Sequence, residues 1–409
     1  MSLRNSIRAA TMRSPTLDKW IRWILGVIRQ CPIWRPAGII KSAHDWVDKY
    51  NTNLSWHGRH KGAWSRIIYP GAVRTYPPVK PRTAYERWPF RNEFIQTVSE
   101  ARLYHLPEAF LFGDSGAVIS KENRIFDEFY HDFDTSCTTY YRPFGMFAWN
   151  VPRRAEWIAL LCAPSASFNY YHWLFDSLPR IHLLEWLRPY LELYAVPAAL
   201  DPVRYETLDL LGISREQLLL LQPNDKVFCE HLAVPSLPGS LGAVPDWAIR
   251  FLQKSFLSAI DDLPRRRQQT YLVRGSLPLR PVLNEEAVID IMRDRGFEIV
   301  QTDKLSFLEQ VRLFRDSEII VSPHGAALAN LVFCENASVL EFFSPGYFRP
   351  DSYYTLATQL SLPYHFQVSP VPERRDPLAS QRVNIDELRR NLDHMQASQL
   401  CASQRNLGS

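Results

Sequence analysis

Ile319-Ile320-Val321-Ser322-Pro323-His324-Gly325-Ala326-Ala327-Leu328-Ala329-Asn330 passes from three β-branched residues, through a histidine and a glycine, into small helix formers. The β-branched run suits a buried strand. The alanines and leucine suit a helix over 325–332. In a parallel sheet, such a strand delivers its carboxyl end to the rim where ligands bind. Gly325 there allows a tight turn and a close backbone approach. The N–H groups of Ala326, Ala327 and Leu328, with the helix dipole, form a site for an anion such as a phosphate. His324 is placed to donate a hydrogen bond to a phosphate oxygen or to a departing group.

The flanking sequence supports a parallel sheet. Strands are expected at 270–274, 297–301, 318–321, 338–342 and 364–368. Helices are expected between them: one capped by Asn284 and ended at Gly296, one opened by the capping box Ser306-Phe307-Leu308-Glu309, and one over 352–360. Strands alternating with helices at this spacing mean βαβ units. Three further residues then fall on the same rim. Arg274 ends the first strand and, with Arg280, offers charge-assisted contacts to a diphosphate. Glu341 lies near the end of the strand after His324, where a carboxylate can accept from ribose hydroxyls.

The N-terminal half carries short β patterns at 109–112, 117–120, 157–162 and 218–221, with helices at 169–187, 205–212 and from Pro245-Asp246 onward. Within it, Asn169-Tyr170-Tyr171-His172-Trp173-Leu174-Phe175-Asp176-Ser177-Leu178-Pro179-Arg180 sets His172 and Asp176 four apart, on one helix face. A His–Asp pair holds an imidazole in the tautomer that abstracts a hydroxyl proton. The sequence does not say which of the two is the base. Arg180 caps the helix or pairs with Asp176.

A chain of 409 residues exceeds one ordinary core. The expected division is an extension at 1–60, an acceptor-side unit at 61–262, a donor unit at 263–380 and a C-terminal helix and tail at 381–409. A net charge of +4, without a basic stripe, argues against nucleic acid. Six scattered cysteines without a CxxC pair read as reduced thiols, with Cys162 and Cys334 buried. No apolar run reaches the length of a membrane span, and no signal-peptide pattern is evident. The Arg and Trp content of 15–35 permits peripheral membrane contact. Asp132-Phe133-Asp134 has a metal-binding DxD form but sits in an acidic loop and reads as solvated.

Taken together, YYHWLFDSLPR at 170–180, RPVLNEEAVIDIMRDRGFEIV at 280–300, the 305–333 block with its HGA turn, and VLEFF at 339–343 resemble the glycosyltransferase 61 family. That group holds plant β-1,2-xylosyltransferases, protein O-mannose and EGF-domain N-acetylglucosaminyltransferases, and many bacterial polysaccharide enzymes. The resemblance covers about 105–370. It implies a GT-B fold of two Rossmann-like domains facing a cleft, inverting transfer from a nucleotide-sugar donor, and no required metal or cofactor. By position it implies that His324, Gly325 and Ala326 meet the donor diphosphate, with Ala327 beside them at the helix start. Arg274, Asn284 and Glu341 match the family's donor side, where Arg280 stands close by, and His172 and Asp176 face the acceptor. The lack of a signal anchor favours a cytoplasmic enzyme acting on a growing or lipid-linked glycan, as in surface polysaccharide synthesis. Two other readings stay open. One is a catalytically silent nucleotide or glycan binder. The other is a serine hydrolase, although Val321-Ser322-Pro323-His324 lacks the expected nucleophile elbow.

Overall fold

The computed structural model describes residues 38–52, 62–78, 94–129, 153–223, 225–239, 242–274, 280–344, 351–369 and 380–407. The basic segment at 15–35 and the Asp132-Phe133-Asp134 motif lie outside them. The fold is mixed α/β, built on two large sheets.

The C-terminal sheet holds β12 (Gln268–Leu272), β13 (Phe297–Val300), β14 (Ser317–Pro323), β15 (Ser338–Phe343) and β16 (Tyr364–Val368). Their spatial order is β13-β12-β14-β15-β16, and every pairing is parallel. Counted within this sheet the order is 2-1-3-4-5, a doubly wound arrangement whose direction of winding reverses between β12 and β14. The loops that leave those two strands therefore diverge and open a crevice. Alternation along β14 and β15 serves both faces of the sheet. Ile319, Val321, Leu340 and Phe342 pack with Val288 and Met292 on one side. Ile320 and Val339 pack with Phe307, Val311 and Phe314 on the other. The last helix, Ile385–Leu407, is longer than its polar sequence suggests. Its Leu388, Leu392 and Met395 fall on one face and enter the first of these cores.

The N-terminal sheet departs from a second Rossmann-like unit. Among the described residues it has nine strands. β8 (Arg153–Leu160), β9 (Leu193–Pro197), β10 (Leu218–Leu221) and β11 (Lys226–Pro235) form a parallel block. The long strand β5 (Ala101–Phe112) joins that block antiparallel to β11 and pairs antiparallel with β6 (Ala117–Ile119). No helix intervenes between β5 and β6, so the chain must return by a tight turn. Gly113 and Gly116 take it there with φ of 72° and 70°.

The helix expected at 169–187 is several short pieces. Tyr170–His172 is one α-turn, Trp173–Ser177 is a π-turn, and Arg180–Leu183 resumes the α form. Arg180 neither caps this helix nor bonds Asp176. Its guanidinium is fully buried and donates to the carbonyls of Pro235 and Cys162. It thereby ties together the carboxyl ends of β11 and β8. The buried Cys162, Cys229 and Cys334 are free thiols.

A shared apolar core joins the two sheets beneath the crevice. Helix Phe307–Asp316 adds a polar tie. Its capping box forms as expected, with Ser306 and Glu309 bonded reciprocally. The N–H groups of Phe307 and Leu308 donate to the Glu206 carboxylate of the N-terminal half at 2.7 and 3.1 Å. All the orphan donors of that helix start are thus satisfied. Glu206→Ala should lower unfolding stability by about 1–3 kcal/mol, because it strands two N–H groups. Chemical denaturation followed by circular dichroism measures the loss.

Candidate active site

A cleft of about 860 Å³ opens where the ends of β12 and β14 face the 168–172 segment and the start of helix Pro202–Leu210. His172 enters its wall from the N-terminal half; Arg274, Arg280, His324, Gly325, Ala326 and Ala327 enter from the C-terminal half. The sequence placed these residues on separate elements, and the fold brings them to one cavity.

His172 is buried, and its Nδ1 lies 2.6 Å from the Asp176 carboxylate. The π-turn widens the helix at this point, a feature common at functional sites. Donation from Nδ1 to Asp176 makes Nε2 the basic nitrogen of the imidazole. Asp176 sits behind His172 rather than in the cleft wall.

His324 caps the end of β14, with its N–H on the Phe342 carbonyl at 2.9 Å. Its Nδ1 lies 2.5 Å from Glu341 Oε1. The second Glu341 oxygen accepts from Tyr364. Burial, and then the neighbouring carboxylate, push the Tyr364 phenol well above its usual range, so it stays a donor. Glu341 is fully buried and holds His324 from beneath. This corrects the sequence expectation of a ribose contact, because both carboxylate oxygens are already engaged inside the protein.

The turn after His324 also differs in detail. Ala326–Phe333 is a 3₁₀ helix, and the N–H of Leu328 already bonds the Gly325 carbonyl. Ala326 and Ala327 remain at the helix start, where N–H groups have no intrahelical acceptor. Gly325 is extended, at φ −179°, so handedness does not demand glycine here. Close approach does. A Cβ would stand 2.8 Å from Arg274 Nη1.

Arg274 lays one Nη on the His324 carbonyl, while its buried Nε has no hydrogen-bond partner among the described residues. Burial, then the nearby Arg280 charge, push its pKa down to about 10. Two guanidinium groups facing one cleft make a strongly anion-seeking surface. Arg280 is held in a left-handed conformation at φ 53°, beside the short parallel bridge of Val282 to Gln381. Asn284 does not face the cleft. It precedes helix Glu285–Asp294 without a side-chain cap. Its amide brackets the backbone of Val383 through two bonds of 3.0 Å.

Tyr353 was not singled out from sequence. Its ring lies 5.3 Å from that of His324 and 6.0 Å from Tyr171, which is 5.4 Å from His172. Two tyrosines therefore space the two imidazoles across the cleft. The Tyr353-Tyr354 doublet was the available signal, but it had no motif around it.

Residues 170–340 match the family model described as Glycosyltransferase 61. The matched stretch runs from the His172 helix through the HGA turn to the strand of Glu341. Over that stretch the chain is similar to the glycosyltransferase 61 family, and the match supports a glycosyltransferase. Among curated proteins, none matches the chain.

Two outcomes follow from Arg274. Its folded-state pKa lies below the unfolded value, so its charge costs stability at any pH below about 10. Arg274→Met should therefore raise the melting temperature of the unliganded protein by about 2 °C. The same variant should lose stabilisation by pyrophosphate. Gly325→Ala should leave the melting temperature within about 2 °C of wild type, since the displaced group is a side-chain end, yet weaken pyrophosphate binding. Differential scanning fluorimetry reads all three.

Proposed function

We propose that the protein is an inverting, metal-independent glycosyltransferase that moves a sugar from a nucleotide-sugar donor to a hydroxyl of a glycan. A growing or lipid-linked glycan of surface polysaccharide synthesis is the acceptor class. One observation carries this reading: a His–Asp pair and a cationic HGA turn face the same cleft from opposite halves of the chain. The two halves would act as the lobes of a GT-B enzyme.

In this reading the donor diphosphate lies against Arg274, Arg280 and the N–H groups of Ala326 and Ala327. His324 presents its ring beside them, fixed by Glu341 and Tyr364. The acceptor hydroxyl approaches His172. As its oxygen bonds to the anomeric carbon, the proton passes to His172 Nε2, and Asp176 stabilises the imidazolium that forms. The bond from the anomeric carbon to the diphosphate oxygen breaks on the opposite face. The growing negative charge meets two guanidiniums and the start of a helix, where preorganised dipoles are worth most.

The hydrolase reading is weaker, because the Ser322 hydroxyl donates to the adjacent Pro323 carbonyl at 2.8 Å. That commits the proton a nucleophile would give to a base. The silent-binder reading differs from a transferase only in turnover.

A panel of UDP, GDP, CMP, dTDP and ADP should contain one nucleotide that raises the melting temperature with EDTA present. The corresponding nucleotide sugar should be consumed, and His172→Ala should lower that rate by about 10²–10⁴-fold. Stabilisation without consumption of any donor would favour the silent binder. No stabilisation by any nucleotide would remove the donor-site assignment.

A further inference from the structure

The helix that carries His172 is too short to hold itself. Tyr170–His172 is a single α-turn that runs straight into the π-turn Trp173–Ser177, and so short a helix is unstable by itself because nucleation fixes several dihedrals for one hydrogen bond. Its position must come from outside. Side chains provide it, one residue at a time. Asn169 caps the turn through the N–H of Tyr171 at 3.0 Å. The Tyr171 hydroxyl accepts from the Gly242 N–H at 3.3 Å. The Trp173 indole donates to Thr207 at 3.0 Å. These three ties all lead to the N-terminal half or to the segment that joins it to helix Asp246–Leu257.

Tyr170 is different. Its hydroxyl donates to Asn330 Oδ1 at 2.6 Å, across the cleft and into the 3₁₀ helix that begins at the HGA turn. The Asn330 amide donates in turn to Gln310 Oε1 at 3.0 Å and to the Ala327 carbonyl at 3.2 Å. Gln310 donates to the Leu305 carbonyl at 3.3 Å. Leu305 belongs to the cleft wall formed by 302–306. Asn330 is fully buried and Gln310 nearly so. Burial pushes the Tyr170 phenol far above its usual range, so its role as donor is fixed. The chain of bonds has one direction, from Tyr170 to Leu305, and each amide is used as both acceptor and donor.

We propose that Tyr170, Asn330 and Gln310 form a positioning relay that sets His172 relative to the donor turn. This rests on the assignment of the cleft as a transferase site. The relay joins the acceptor-side base to the two donor-side walls of the cleft, at the Ala327 and Leu305 carbonyls. None of the three residues needs to touch a reacting atom. A displaced turn would move the base away from the acceptor hydroxyl, and misplacements of about 1 Å cost on the order of 10²-fold in rate.

The test compares Tyr170→Phe, Asn330→Ala and the double variant in the full chain. Donor consumption is measured with UDP-, GDP-, CMP- and dTDP-sugars, and nucleotide binding by thermal shift with the matching diphosphate or CMP. Tyr170→Phe keeps the ring and loses only the hydroxyl. It should lower kcat by about 10- to 100-fold. The donor KM and nucleotide Kd should stay within about 3-fold of wild type, a difference worth less than one hydrogen bond. In a relay the double variant should be no slower than Asn330→Ala alone. A Tyr170→Phe enzyme with wild-type kcat would overturn the proposal, as would losses that multiply in the double variant. Parallel loss of kcat, nucleotide binding and melting temperature would show a merely structural bond and also overturn it. If the wild type consumes no donor while a nucleotide still binds, the transferase reading fails first and the relay falls with it.

Discussion

The cleft depends on a shared apolar core. Side chains from both sheets interleave beneath it, and the parallel strands of each half end above it. A parallel sheet sends its chemistry to the carboxyl ends of its strands, and the reversal between β12 and β14 leaves room there. Each half has only part of a site. The C-terminal half brings Arg274, Arg280 and a helix start to the cleft, and the N-terminal half brings His172 with Asp176 behind it. Packing across the core converts two fragments into one cavity. Polar ties through Glu206 and Tyr170 fix the register between them.

Much of the C-terminal half was legible in sequence because local signals agreed there. β-branched strands, the Ser306–Glu309 capping box and the glycine stop at Gly296 all pointed to the same βαβ order. The N-terminal half was less legible. Its strands return through short turns without helices, and strand patterns alone do not state which neighbour each will pair with. The π-turn at Trp173–Ser177 leaves no mark in a hydrophobic pattern.

The site was legible in its members more than in their duties. His172 with Asp176 followed from helical spacing, and the HGA turn from the strand that precedes it. Glu341 was placed correctly at a strand end, yet its side chain points inward to His324 and Tyr364. Asn284 was likewise a backbone brace for Val383 and not a ligand. Both errors have one cause. Sequence shows which residue stands at a rim, while the facing of its side chain is decided by partners from distant strands. Tyr170, Asn330 and Gln310 were unreadable for the same reason, since their bonds join residues 160 and 20 positions apart.

The Glu206 cap also acts as an electrostatic filter. The cleft is bordered by two helix starts, one after Gly325 and one at Ser306, and each would ordinarily attract negative charge. At Ser306 that vacancy is filled from within the chain, so an incoming anion meets a carboxylate there and finds its attraction cancelled. At the Gly325 end the cleft is lined by Arg274 and Arg280. Of the two helix starts, only the one after Gly325 leaves its N-terminal attraction for anions uncovered by the Glu206 carboxylate.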